Sequence, residues 1–174
     1  MSLTAKTEIL IKKAVVTDIP RICRFLQAMG PDFPDNTFQI TRSASFIVVF
    51  TLLLRTILFN RFNEKLIGYF SETVIASHSK SVVGIAYFGK KHNTATIHGI
   101  AVKENFRKKG VGTSLLRNII ILCQKQKVNL IQLYTLRRNP TAISLYQTVG
   151  FHVNENISSD LRVCMQRRFQ NNPE

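Results

Sequence analysis

One stretch, from Thr94 to Lys125, constrains this chain more than any other. It reads T-A-T-I-H-G-I-A-V, then K-E-N-F, then R-K-K-G-V-G-T, then S-L-L-R-N-I-I-I-L-C-Q-K. The β-branched opening predicts a strand over about Ala95–Val102. The closing part predicts an amphipathic helix starting near Gly112 or Thr113. Its buried face is Leu115, Leu116, Ile119, Ile120 and Cys123, at helical spacing. Between them lies a basic turn in which Arg107, Lys108 and Lys109 precede Gly110 and Gly112. Glycines let a backbone bend tightly and aim several N–H groups at one point. The helix start adds unpaired N–H groups and the positive end of its dipole. Such an arrangement cradles a diphosphate.

Two familiar phosphate loops do not fit. A Walker loop needs a lysine followed by serine or threonine after its second glycine step, which neither Gly110 nor Gly112 supplies. A dinucleotide fingerprint needs a third glycine where Leu115 stands. What remains is Arg107-x-x-Gly110-x-Gly112. A second motif follows, its Asn139 27 residues on from Gly112: R-R-N-P-T-A-I-S-L-Y-Q-T-V-G-F. Read alone, it is a capped helix, with Asn139 as cap, Pro140 at the first helical position and Gly150 past the end.

Together the two motifs resemble the signatures of the GNAT N-acetyltransferase superfamily. The first resembles its acetyl-CoA pyrophosphate loop. The second, through Asn139, Ala142, Leu145, Tyr146, Gly150 and Phe151, resembles N-x-x-A-x-x-L-Y-x-x-x-G-F. One departure is Glu104, where many members carry proline. The resemblance covers residues 9–169 in outline, with its specific motifs within 96–151. It implies an α/β fold: one domain over residues 1–174, with a central, mostly antiparallel sheet of six to seven strands and flanking helices. It also implies a splay between strands 4 and 5. Acetyl-CoA is the implied co-substrate and a primary amine the implied acceptor, with no metal. By the same resemblance, Ile100, Ala101 and Val102 offer the open strand edge. Arg107, Lys108, Lys109, Gly110, Val111, Gly112 and Thr113 hold the phosphates. Asn139, Ala142 and Tyr146 complete the cofactor side.

Acetyl transfer needs the thioester held near the amine, a proton removed from the amine, and a proton or equivalent for the leaving thiolate. Tyr146 matches the family's general acid, and a phenol with a pKa of about 10 is protonated at neutral pH. The alternative is a core tyrosine on a helix face. For the base, period two puts Thr96, His98 and Ile100 on one strand face. Some branches carry a glutamate at the Thr96 position; this chain does not. His98 matches a histidine of the arylalkylamine branch, and an imidazole can accept a proton directly or through water. A half-buried strand histidine without a role is the alternative. Tyr134 stands where the ribosomal-protein branch carries a glutamate; it reads as a strand aromatic or a pocket wall. Arg137 and Arg138 read as solvent-facing, with contact to the cofactor's phosphates as the alternative.

The remaining sequence adds bounds. A length of 174 residues suits a single core, and 45% hydrophobic content argues against disorder. A net charge of +14 favours anionic partners, an acidic protein among them, or is simply a solvated basic surface. The basic residues are dispersed, with no zinc-finger or RNA-recognition signature, so nucleic acid is not indicated. Cys23, Cys123 and Cys164 have no metal-ligand spacing and read as reduced thiols of a cytoplasmic protein. The N-terminus lacks a continuous apolar run, so no signal peptide is expected. Residues 46–59 are apolar but number only 14 and include Arg55; a membrane span wants about 20. They read as a buried helix with a polar stripe.

Along the chain, residues 9–15 predict the first strand. Thr17 or Asp18 then caps a helix with Pro20 in its first turn. Its apolar positions are Ile19, Ile22, Cys23, Leu26 and Met29, and Gly30-Pro31 ends it. Residues 31–41 read as a loop, and 43 to about 70 as one or two helices. Strands over 72–76 and 82–88 form a hairpin through a 77–81 turn, with Gly84 in the family's Val-Gly step. A turn over 89–93 follows. Strand five is 130–135, and two closing strands end near 161–168. Besides a transferase, the sequence leaves open a catalytically inactive scaffold that binds acyl-CoA or a protein. More weakly, it allows a ribosome- or nucleic-acid-associated role. It does not identify the acceptor among small molecules, peptide N-termini and lysines, and leaves a homodimer open.

Overall fold

The computed structural model describes residues 8–29 and 69–169. The readings for 30–68, including the 46–59 segment and the Gly30-Pro31 stop, lie outside them. Strand β1 (Ile9–Lys13) leads through a 3₁₀ turn (Val16–Asp18) into helix α1 (Ile19–Ala28). Then come β2 (Tyr69–His78), β3 (Ser81–Lys91) and β4 (Thr94–Val102). Helix α2 (Val111–Lys125), β5 (Leu130–Leu136) and α3 (Pro140–Gln147) follow. Short β6 (His152–Val153) and β7 (Arg162–Arg168) close the sheet.

The seven strands run in the order β1-β2-β3-β4-β5-β7-β6. All neighbours are antiparallel except β4 and β5. A parallel pair cannot be closed by a tight turn and needs a crossover; the segment carrying the glycine turn and α2 supplies it. Helix α2 buries Val111, Leu115, Leu116, Ile119, Ile120 and Cys123 against one sheet face, together with Ala86, Phe88, Ile131 and Leu133. Each such aliphatic side chain contributes about 1.5–3 kcal/mol on full burial. Helix α1 covers the other face, packing Ile22, Phe25 and Leu26 on Ile75, Val82 and Ile85.

Several boundaries differ from the sequence reading. Residues 69–70 begin β2 rather than ending a helix, because their backbones pair with Lys91 and Lys90. The first hairpin is tighter than 77–81: the strands run to His78 and from Ser81, and Ser79 takes φ 55° at the turn. The 89–93 turn shrinks to His92 and Asn93, since Gly89, Lys90 and Lys91 pair across to β4. β1 stops at Lys13, and α2 starts at Val111, one residue before the expected glycine. Met29 is half-buried at the helix end, whereas Phe25, passed over in the sequence, is fully buried.

Asp18 ties β1 to α1. Its buried carboxylate takes Lys12 Nζ at 2.8 Å, the Val15 amide at 3.1 Å and Arg21 Nη1 at 3.2 Å. Burial by itself raises this carboxyl. The Lys12 and Val15 hydrogen bonds and the charges of Lys12 and Arg21 outweigh it, so Asp18 titrates below the usual carboxylate range. A depressed folded pKa gives stability that is present above the unfolded value and lost as pH falls through the folded one. Asp18→Asn is therefore expected to cost about 1–2 kcal/mol at neutral pH, after allowance for screening of half-exposed Lys12. Chemical denaturation at a series of pH values checks this: the gap to the unsubstituted protein should close in acid.

Candidate active site

The β4–β5 pair opens partway along. It runs only from Thr94↔Leu130 to Ile97↔Leu133. The Asn93 carbonyl accepts from Asn129 N at 2.8 Å and Leu130 N at 3.3 Å, which pins the closed end. Beyond Ile97, β4 continues to Val102 and stays paired with β3 alone, through Gly99–Val102. Its other edge is open there, as the sequence reading expected for Ile100, Ala101 and Val102.

The turn after β4 is built as a cradle. A 3₁₀ turn over Glu104–Phe106 forms with glutamate at the position where proline is common. Lys108 (φ 57°) and Gly110 (φ 78°) both adopt the left-handed region. For lysine that conformation costs on the order of 1 kcal/mol and is held by its surroundings. Gly110 is the N-cap of α2, and its carbonyl takes the Ser114 amide at 2.9 Å. Among the described residues, the amides of Lys108 through Thr113 take no internal partner. Gly112 is tightly neighboured: a Cβ there would lie 3.2 Å from Leu145 Cδ2, closer than ordinary contact, so that methyl would have to shift by a few tenths of an ångström, and 3.9 Å from Ile100 Cδ1. Gly84 is similarly hemmed in by Leu115 and Val111, at 3.1 and 3.2 Å, which lets the start of α2 seat closely on β3.

Helix α3 completes the enclosure. The Asn139 side chain accepts from Ala142 N at 3.1 Å, a cap worth about 1 kcal/mol. At the other end, the amides of Val149 and Phe151 both converge on the Tyr146 carbonyl at 3.1 Å. Gly150 takes φ 83°, and the Arg167 guanidinium, donating to the Val149 carbonyl, occupies the space a Cβ would need. The buried Tyr146 ring meets fully buried Phe151 edge-on, with centroids 6.2 Å apart. The N-P…L-Y…G-F pattern thus encodes a clamp around one tyrosine.

These parts enclose a cleft of about 650 Å³. Of the sequence-predicted residues, Ile100, Ala101, Val102, Arg107, Lys108, Gly110, Gly112, Thr113, Asn139, Ala142 and Tyr146 line it. Arg107 also donates from Nε to the Val102 carbonyl at 3.1 Å, tying the loop to the strand end. Lys109 and Val111 do not line it. Lys109 lies over the Phe106 ring at 5.6 Å, and Val111 is buried against Gly84. Three lining residues escaped the reading: Met29, Thr141 and Leu145. Helical spacing from Ala142 and Tyr146 could have found Thr141 and Leu145. Nothing local marks Met29.

His98 is placed differently from the period-two expectation. The β3–β4 register steps from Tyr87↔Gly99 to Phe88↔Ile97, leaving His98 as the extra residue of a bulge. The bulge resets the alternation. Ile97 and Ile100 both pack toward α2, whereas Ala101 packs with the α1 cluster. Thr96 and His98 therefore share the α1 face, and Ile100 faces the other way. On the α1 face, Gln132 Nε2 donates to Thr96 Oγ1 at 3.3 Å, and the His98 ring stacks on Tyr87. Tyr134 does not line the cleft: it is 47% exposed, and burial together with Cys164 pushes its phenol up. Arg137 is exposed and bound to Glu155 at 2.9 Å, and Arg138 is exposed.

The cysteines offer no nucleophile. All three are buried, and burial, with Glu72 nearby, pushes the Cys123 thiol up to about 12. No helix among the described residues is long and apolar enough to cross a membrane.

Comparison with known proteins follows the same lines. Residues 35–151 match the profile of the Acetyltransferase (GNAT) family. An uncharacterised N-acetyltransferase of Methanocaldococcus jannaschii is 32% identical over 74 residues, 42% of this chain and 33% of that protein. The matched part thus spans about a third of that curated relative's length. Among solved structures, a GNAT-family acetyltransferase of Streptococcus pneumoniae superposes with TM-score 0.71 at 19% identity, over 93% of this chain and 99% of the other. The PaiA N-acetyltransferase of Thermoplasma acidophilum, solved with coenzyme A, gives 0.69 at 18%, over 93% and 99%. At these identities the structures speak to the fold.

Proposed function

Because this chain belongs to the GNAT acetyltransferase family, we propose that it transfers the acetyl group of acetyl-CoA to a primary amine by direct attack. One observation carries this reading: the phosphate-type loop, the open edge of β4 and the Tyr146 side chain all border a single cleft. The site suits the co-substrate. The unengaged amides of Lys108–Thr113, with Arg107 and Lys108 beside them, match a diphosphate. The Cβ-less Gly112 lets backbone approach it closely. Bound there, acetyl-CoA would supply an activated acyl thioester.

The residues then divide the work. Arg107, Lys108 and the loop amides anchor the phosphates. The open backbone of Ile100–Val102 pairs with an extended arm as an added strand would, and its N–H groups polarise the thioester carbonyl. Asn139 and Ala142 set the angle of α3, and Tyr146 Oη donates a proton to the departing sulfur as the carbon–sulfur bond breaks. His98, on the opposite side of the opened sheet, takes a proton from the attacking amine. Acid and base thus approach the carbonyl from the two faces of one gap. Near the gap, the α1 face bears Tyr87, Thr96, His98, Gln132 and Tyr134. A chain charge of +14 favours acceptors without a second positive charge.

Calorimetry with acetyl-CoA, followed by CoA-release assays with tyramine, spermidine, an alanine-initiated peptide and Nα-acetyl-lysine amide, tests the proposal. Sub-millimolar binding with turnover of at least one amine is expected, spermidine being the poorest. Binding without turnover of any amine would favour an inactive acyl-CoA-binding scaffold. No binding would remove both readings.

A further inference from the structure

The loop at the phosphate end of the cleft holds a shape that its own residues do not enforce. Lys108 takes φ 57° and Gly110 φ 78°. Glycine enters the left-handed region freely; lysine stays there only where its surroundings hold it. On one side of Lys108, Arg107 donates from Nε to the Val102 carbonyl at 3.1 Å. On the other side, Lys109 Nζ lies 5.6 Å from the centroid of the Phe106 ring, within reach of its π face. Phe106 is itself fixed. Its amide donates to the Lys103 carbonyl at 2.8 Å, within the 3₁₀ turn. Its ring meets the His78 ring of β2 with centroids 5.1 Å apart and planes at 55°, and packs against the main core. One ring thus joins the loop to a strand on the far side of β3.

We infer that Phe106 is a positioning residue for the co-substrate: its ring, in contact with both His78 and Lys109, keeps Lys108–Gly110 in the shape whose unengaged amides receive a diphosphate. That role rests on the reading of the cleft as the acetyl-CoA site. Phe106 does not line the cleft; it acts through Lys109 and the 3₁₀ turn. A loop already in its bound shape has less order to gain on binding. Residue 104 offers a second source of the same rigidity. Glu104 opens the turn, and Lys103 before it is extended, at φ −52° and ψ 140°, as a residue preceding proline must be. The Glu104 amide takes no partner among the described residues. Proline there would fix the backbone at the start of the turn and lose no hydrogen bond.

The experiment measures the effect of Phe106→Leu on CoA affinity in three backgrounds: the native chain, Glu104→Ala and Glu104→Pro. Leucine keeps apolar packing but has no ring for His78 or Lys109. Calorimetry is run well below each variant's melting temperature, so that every protein is folded. In the native chain the loss should be about fivefold, the factor that releasing the left-handed cost at Lys108 corresponds to. Glu104→Ala removes the carboxylate without fixing the backbone, so the loss there should again be about fivefold. Glu104→Pro presets the turn, so the loss should shrink to within about twofold. Phe106→Tyr keeps the ring and should bind within about twofold of the native chain.

Unchanged affinity in Phe106→Leu overturns the inference. So does an equal loss in the Glu104→Pro background, which would assign residue 106 to the fold at large. A loss that also disappears in the Glu104→Ala background would assign the coupling to the carboxylate. Phe106→Tyr binding as weakly as Phe106→Leu would deny the ring its part. If the unsubstituted chain binds no CoA, the acetyl-CoA reading itself falls and the positioning role with it.

Discussion

Replacing Gly112 by valine is expected to weaken acetyl-CoA binding about 100-fold, or about 2.7 kcal/mol. The cause is steric and local. A Cβ at this position would already lie 3.2 Å from Leu145 Cδ2, tighter than ordinary contact, and 3.9 Å from Ile100 Cδ1. Two further methyl groups must either displace Leu145 from the cleft wall or enter the cleft beside the unengaged loop amides. The helix itself tolerates the change, because valine costs it less than glycine does. Calorimetry measures the affinity, and a thermal melt measures the fold. A loss of binding with little change in melting temperature is the expected pair. Affinity within threefold of the unsubstituted protein would show that backbone approach at Gly112 is not what the ligand uses.

The second large effect is expected at the other end of the cleft. Tyr146→Phe should lower kcat about 100-fold, the lower range for loss of a positioned general acid, while acetyl-CoA affinity stays within twofold. Phenylalanine fills the same space and keeps the edge-on contact with Phe151. The clamp around residue 146 is made by its carbonyl and by Gly150. An acid catalyst leaves a diagnostic trace. The deficit should shrink with an acetyl thioester whose thiol is more acidic, since that leaving group needs less help. A deficit of equal size for both thioesters, or a parallel loss of affinity, would assign Tyr146 to structure.

These expectations draw unequally on sequence and on fold. The loop-and-α3 side of the cleft was legible because its determinants are local. A glycine that needs φ 78°, an asparagine that caps three residues on, and a proline at a first helical position all act within a few residues, so spacing encodes them. The buried face of α2 was legible for the same reason: a period of 3.6 is written in the residues that obey it.

The α1 face of the sheet was not legible in this way. Period two placed His98 and Ile100 together, and a single bulge separated them. Whether a strand bulges depends on the register of its partner, which no run of residues in β4 states. Met29 reaches the cleft only because α1 packs across β3 toward the end of β4, and Phe25 is buried for the same reason. The strand ends at residues 69–70 and 89–91 were likewise set by cross-strand pairing rather than by propensity.

From its sequence alone, this chain determined a phosphate-type loop feeding a helix, a capped tyrosine helix after it, and hence its family. Only the tertiary structure decided which face of the sheet His98 occupies and where β4 and β5 part. Short-range hydrogen bonds and helical periodicity are carried by neighbours in the chain. Register and strand divergence are settled between segments that meet only when the sheet assembles.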